Sequence, residues 1–197
     1  NLLQYVTDFV NTNCFVVKMP CRYMNEEDYV EALSRCLEEN AGKSIKLAIF
    51  DHIVRVPHVV LPIEKLAKRA KAQGVERVFI DGAHAVGQLP LDMHALSDSG
   101  IDYYTSNCHK WLYGAKGSAF LWAAPRAQEG IVPTIISAEW ANDKHSFSLQ
   151  FRYTGTRDFS ALCCISDALT FREQFGETDI MHYLCSLIKF AEKHLVE

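Results

Sequence analysis

No stretch of the 197 residues approaches the ~18 consecutive apolar positions that a membrane-spanning helix needs, and no signal-peptide pattern is present. There is no excess of basic residues. The formal net charge of −4 makes nucleic acid a poor partner. Seven cysteines are scattered at 14, 21, 36, 108, 163, 164 and 185 without a CxxC pair, which argues against both a zinc ribbon and a disulfide framework. Reduced thiols in the cytoplasm are the expectation. HxxxH spacing, GxGxxG and a GKS/T phosphate loop are all missing, so a histidine metal site and a nucleotide-binding domain carry little weight. Internal repeats, low-complexity tracts and linkers are missing too. What remains is a chain that is 49% hydrophobic and 22% charged, the balance of a globular domain with an ample core. It starts without methionine and stops inside a helical pattern, so we expect it to be incomplete at both ends.

Taken in order, residues 1–10 resemble the tail of a helix, and CFVVKM (14–19) reads as a short strand stopped by Pro20. Asn25 caps a helix whose first turn holds Glu26, Glu27 and Asp28 and whose buried face is Tyr29, Ala32, Leu33, Cys36 and Leu37; Asn40 to Gly42 ends it. Leu47 to Phe50 is a strand ending at Asp51-His52. Pro62 opens a helix with the stripe Ile63, Leu66, Ala67 and Ala70, stopped by Gly74, and Arg77 to Ile80 is the next strand. Ile101 to Tyr104 is another apolar run, and Ser118 to Trp122 reads as the return strand after it. Beyond Pro125 periodicity is lost until 147–151. Ser160 then caps a helix striped by Leu162, Ile165, Leu169 and Phe175, Gly176 breaks it, and Thr178 or Asp179 starts the last helix. Strands alternating with helices predict an α/β fold with a mostly parallel sheet flanked by helices.

Two strand ends stand out within Val78–Leu121. One finishes in Asp81 and is followed by His84; the other leads into Ser106, Asn107, His109 and Lys110. Open α/β sheets place ligands at the C-terminal ends of their strands. An acid on one end and a lysine on the neighbouring one suit a cofactor with a basic ring nitrogen and an aldehyde, which is pyridoxal phosphate. It needs a lysine amine for the aldehyde, an acid to keep the ring nitrogen protonated, donors for the phosphate and a cover for the ring. Each residue alone has a plainer reading. Asp81 in an Asp-Gly pair can be a turn residue, Lys110 a solvated surface lysine, and His84 and His109 satisfied loop or core histidines. Trp111 can be a packing anchor, and Cys108 a small buried thiol. Only the combination is specific.

The phrases DGAHAVG (81–87), IDYYTSNCHKW (101–111), GSAFL (117–121) and YTGTRD (153–158) resemble the class V aminotransferase family of fold-type I pyridoxal-phosphate enzymes. With DHI…VVLPI (51–63) and GVERVFIDGAHA (74–85), they are most similar to its isopenicillin N epimerase-like branch, which includes cysteine desulfhydrase-like C–S lyases. The resemblance runs over roughly residues 45–175. It implies that Lys110 carries the cofactor aldehyde and acts as acid and base, that Asp81 pairs with the ring nitrogen and that His84 lies near the ring's phenolic oxygen. It implies His109, and more weakly Asn107, on the phosphate. Thr156 is implied to reach the phosphate of a neighbouring subunit, hence a homodimer with shared sites. Where the branch generally reads DHITS, this chain has DHIVR; Arg55 is either a fork for a substrate carboxylate or a surface charge.

On this reading residues 1–197 are part of the cofactor-binding large domain, and 176–197 begin the helical connection to a small domain outside the chain. The leading expectation for function is β-elimination at cysteine or a cysteine conjugate. Epimerisation and transamination are the alternatives within the family. A non-catalytic relative or fragment that keeps a dimerising α/β domain is the alternative from another class. The expected location is cytoplasmic, with any targeting segment outside the chain.

Overall fold

A computed structural model describes residues 2–19, 25–137 and 147–195. Pro20, expected to stop a strand, lies outside the described residues, as do Cys21, Asn1 and residues 196–197. Helix α1 (Leu2–Phe9) is followed by α2 (Glu26–Glu39), β1 (Leu47–Asp51), the small hairpin strands β2 (Ile53–Val54) and β3 (Val59–Val60), α3 (Ile63–Ala72), β4 (Arg77–Asp81), α4 (Met93–Asp98), β5 (Tyr103–Asn107) and β6 (Ala119–Ala123). A 3-10 turn (Pro125–Ala127) precedes α5 (Phe147–Gln150), α6 (Ser160–Cys163), α7 (Ile165–Phe175) and α8 (Glu177–Leu195).

The main sheet has the order β1-β4-β5-β6. β1, β4 and β5 run parallel, and β6 returns antiparallel to β5. The α/β architecture with a mostly parallel sheet is therefore as expected, and β6 is the return strand behind the lysine loop. Helix α2 begins with a capping box: Asn25 Oδ1 accepts from the Asp28 amide and Asp28 Oδ2 from the Asn25 amide, each at 3.0 Å. Its buried face packs with that of α3, where Ile63, Leu66, Ala67 and Ala70 are the buried residues. Strand β4 alternates as a sheet strand should, with Val78 and Ile80 fully buried. The same core holds Leu96 of α4, Ile101 and Tyr104.

Asp102 lies at the base of β5 and is fully buried. Its carboxylate accepts from the Val78 amide (2.8 Å), Lys71 Nζ (2.6 Å) and Arg126 Nε (3.1 Å). These three bonds join β4, α3 and the turn after β6 at the end of the sheet opposite Asp81.

Three expectations need correcting. Residues 14–19 are not a strand; β structure needs a partner ladder, and this segment makes none, although Val17 and Met19 pack on the core. Ser160 does not cap α6; the side chain of Asp158 does that work, accepting from the Ser160 amide at 2.8 Å. The stripe Leu162, Leu169 and Phe175 faces outward, because α6 and α7 are turned to bury Ala168 and Arg172 instead. Gly176 does end α7, at φ 81°, and α8 starts directly at Glu177. No described helix is long and apolar enough to cross a membrane.

Candidate cofactor site

Parallel pairing puts Asp51 beside Asp81 and Asp81 beside Thr105, so β1, β4 and β5 end side by side. Backbone bonds continue past the strand ends: the His52 amide donates to the Asp81 carbonyl (2.8 Å) and the Gly82 amide to the Thr105 carbonyl (2.7 Å). The chain then turns tightly. Ala83 N–H donates to Asp81 Oδ1 at 3.0 Å, Ala85 N–H to the Gly82 carbonyl at 2.8 Å, and the buried Ser106 hydroxyl donates to the same carbonyl. Only glycine fits at 82, since a Cβ there would stand 2.3 Å from the Tyr104 hydroxyl. That hydroxyl is 2.8 Å from His52 Nδ1, and the pair forms a buried floor beneath the turn. Burial pushes the Tyr104 hydroxyl up and holds the His52 imidazole down at about 4, so both stay neutral at ordinary pH.

The lysine loop leaves β5 at Asn107. Cys108 N–H donates to the Ser118 carbonyl (3.0 Å) and Gly114 N–H to the Cys108 carbonyl (2.8 Å), which closes the loop on itself. His109 Nδ1 lies 2.8 Å from the Ser118 carbonyl. A carbonyl only accepts, so that nitrogen carries the proton, and Nε2 donates to an anion only as imidazolium. Cys108 is buried, as its plain reading has it, and Trp111 is partly exposed.

Lys110 Nζ comes within 3.4 Å of His84 Nε2, so the two strand ends meet. Desolvation first, and then the Lys110 charge, lower the His84 pKa; Asp81 opposes them. The Arg55 charge also acts to lower it, which locates this exposed arginine in the same neighbourhood. Asp51 ends the neighbouring strand beside Asp81. Burial and the Asp81 charge raise its carboxyl above the usual range. Its signal in the sequence is the one that gave Asp81, an apolar run ending in an acid.

Asp81 and Lys110 are both half-buried, and neither enters an ion pair with any described residue. The structure thus gathers Asp81, His84, Asn107, His109 and Lys110 at two neighbouring strand ends. Thr156 is exposed, and no described hydrogen bond joins it to the others; in the same turn the Thr154 hydroxyl is buried with no hydrogen-bond partner among the described residues.

The model of the family described as aminotransferase class-V matches residues 19–197. The chain belongs to this family. Among curated class V relatives, a probable chloroplastic L-cysteine desulfhydrase of Arabidopsis thaliana is 31% identical over 164 residues, 81% of this chain and 33% of that protein. Isopenicillin N epimerase of Streptomyces clavuligerus is 32% identical over 148 residues, 68% of this chain and 36% of that protein. The chain therefore spans about a third of the length of the curated relatives it matches. The apo cysteine desulfurase of Thermococcus onnurineus superposes with a TM-score of 0.79 at 17% identity, over 98% of this chain and 47% of that one; this supports the fold.

Proposed function

We propose that this chain is the pyridoxal-phosphate-binding part of an enzyme that cleaves the C–S bond of cysteine or a cysteine conjugate by β-elimination. The observation that carries the cofactor reading is the pair of half-buried, un-neutralised charges, Asp81 and Lys110, on adjacent strand ends. A buried acid and amine are normally paired with each other or with neighbours. Here neither has a charge partner among the described residues; Asp81 accepts from the Ala83 amide and Lys110 lies 3.4 Å from His84 Nε2, which supports a ligand that brings complementary charges.

Pyridoxal phosphate, when bound, supplies an electron sink for the pair left on Cα. Lys110 would hold the cofactor's aldehyde carbon and would serve as the acid and base at the substrate Cα. Asp81 would pair with the ring nitrogen, the role an acid at this strand end suits. His84 flanks the ring and takes a hydrogen bond from Lys110. His109 and Asn107 would face the phosphate. Arg55 offers a fork for the substrate carboxylate. Thr156 serves the site of a second copy, making the enzyme a homodimer. Residues 1–197 belong to the large domain, with 176–197 leading toward a small one, and the enzyme works in the cytoplasm unless a targeting segment lies outside the chain.

The preference for C–S cleavage rests on the DHI…VVLPI to FIDGAHA stretch and on desulfhydrase relatives at 31–32% identity. Epimerisation is the second reading, favoured by the epimerase relative.

The intact purified protein is expected to be yellow, with a visible absorbance that borohydride removes and that Lys110→Ala abolishes. A colourless protein indifferent to added cofactor would leave the non-catalytic reading standing. Sulfide and pyruvate released from L-cysteine are the expected products; rapid racemisation without sulfide would select the epimerase reading.

A further inference from the structure

Besides the Lys110–His84 contact, the acid turn and the lysine loop come close at Gly87. Gly87, at φ +84, lies so close to the lysine loop that a Cβ would stand 2.3 Å from the Trp111 carbonyl oxygen. Two carbonyls, of Gly87 and Trp111, therefore face the same small space, one from each loop. Arg172 of α7 fills it. Its side chain is fully buried, and its guanidinium donates Nη2 to the Gly87 carbonyl (3.0 Å) and Nη1 to the Trp111 carbonyl (2.6 Å). The Glu177 carboxylate accepts hydrogen bonds from Nε and Nη2 on the far side. The guanidinium also lies 4.9 Å from the ring centre of Tyr113, which holds a left-handed φ of 68°. Non-glycine residues stay in that region only when their surroundings fix them, and such residues cluster where a loop is held for function.

We infer that Arg172, locked by Glu177, is a positioning residue: its guanidinium fastens the Lys110 loop to the Asp81–His84 turn and so sets where the lysine amine stands. Two properties suit it to this. A guanidinium is a rigid planar fork, so bonds to two loops and a carboxylate fix distance and angle together. The carbonyl it holds in the lysine loop belongs to Trp111, the residue next to Lys110, so the clamp restrains the backbone from which the lysine side chain extends. Loss of the clamp releases the lysine loop without removing any group from the site. The cofactor-capture part of this inference rests on the reading proposed above; the geometric part does not.

The experiment compares intact wild-type protein with Arg172→Met and Glu177→Ala. In cofactor-free protein, acetic anhydride acetylation is followed at Lys110 and, as a reference, at Lys71, which is ion-paired to Asp102 at the other end of the sheet. Borohydride-trapped capture of pyridoxal phosphate at Lys110 is measured in parallel. Local release predicts Lys110 acetylation about threefold faster with Lys71 unchanged, as expected for a local opening. It also predicts cofactor capture about tenfold slower in Arg172→Met, and less affected in Glu177→Ala, since small misplacements of a reacting group are costly. If Arg172→Met does not fold, Glu177→Ala decides alone, because Glu177 is partly exposed and its loss unlocks the guanidinium without deleting it. Unchanged Lys110 acetylation overturns the inference. A rise at Lys110 and Lys71 together overturns it as well, since that is general loosening. Wild-type protein that captures no cofactor at Lys110 refutes the cofactor reading, while the acetylation comparison still judges the clamp.

Discussion

The two halves of the chain are held by opposite means. From α2 to β5 the structure rests on apolar burial: Leu66, Ala67, Ala70, Val78, Ile80, Ile101 and Tyr104 have no exposed surface, and polar groups enter that core only with partners. From α5 to α8 the balance reverses. Only Gln150, Ala168 and Arg172 are buried among the described residues of those four helices, while Leu169, Phe171, Phe175, Leu187, Ile188 and Phe190 are exposed. One part makes its own core. The other is tied to it in part through a buried arginine, with Phe171 set edge-on to Tyr113 beside it. The comparison teaches that stability and site geometry come from different places: the sheet supplies the first, and the polar tie helps to set the second.

That contrast can be broken from the sheet side first. Asp102→Ala removes the acceptor shared by Val78, Lys71 and Arg126 and is expected to cost about 3–5 kcal/mol in a denaturant titration, since one member of a buried charge cluster is lost. Leu66→Ala is expected to cost about 2–5 kcal/mol, the range for a fully buried leucine whose cavity cannot collapse.

A smaller effect is expected with pH. His52 has a folded-state pKa of about 4 against an ordinary 6.5, because burial disfavours its charged form. Between those values the unfolded chain binds the proton and the folded chain does not. This contribution is therefore complete above about pH 6.5 and is lost as pH falls toward 4, up to about 3 kcal/mol. Stability measured across that window should rise with pH, and His52→Phe should flatten the rise; an unchanged slope would show that another group titrates there. The smallest effect belongs to the helices: Leu187→Ser on exposed α8 should leave the stability of this chain within about 0.5 kcal/mol. A larger loss would mean that α8 is buried in the intact protein.

The same division explains what could be read from residues alone. The α3 stripe Ile63, Leu66, Ala67 and Ala70 was legible because a helix lying on a sheet must repeat its apolar positions every three or four residues. The acid and the lysine were legible because strand ends are marked by a change from apolar to polar. Arg172 was not. Its partners are the carbonyls of Gly87 and Trp111, and every residue has a carbonyl, so nothing in the sequence marks them. The outward turn of Leu162, Leu169 and Phe175 follows from the same burial of Arg172, which overrides the apolar period. Segment 14–19 has the composition of a strand, but composition does not supply a neighbour to pair with. Asp51 has the same signal as Asp81, but the two acids become neighbours only when β1 and β4 are laid side by side.

The antiparallel β5–β6 pair gives Lys110 a fixed address. Five rungs run from Tyr103↔Ala123 to Asn107↔Ala119, and the lysine loop fills 108–118 between them. Residues added near Gly117, where a Cβ would meet nothing within 4 Å, lengthen a loop that has room for them. A single residue added or removed within 119–123 shifts the ladder by one rung and turns every side chain of β6 to the other face. Insertions should therefore be tolerated in the loop and rejected in the strand, so the lysine's position is protected by counting residues as well as by contacts.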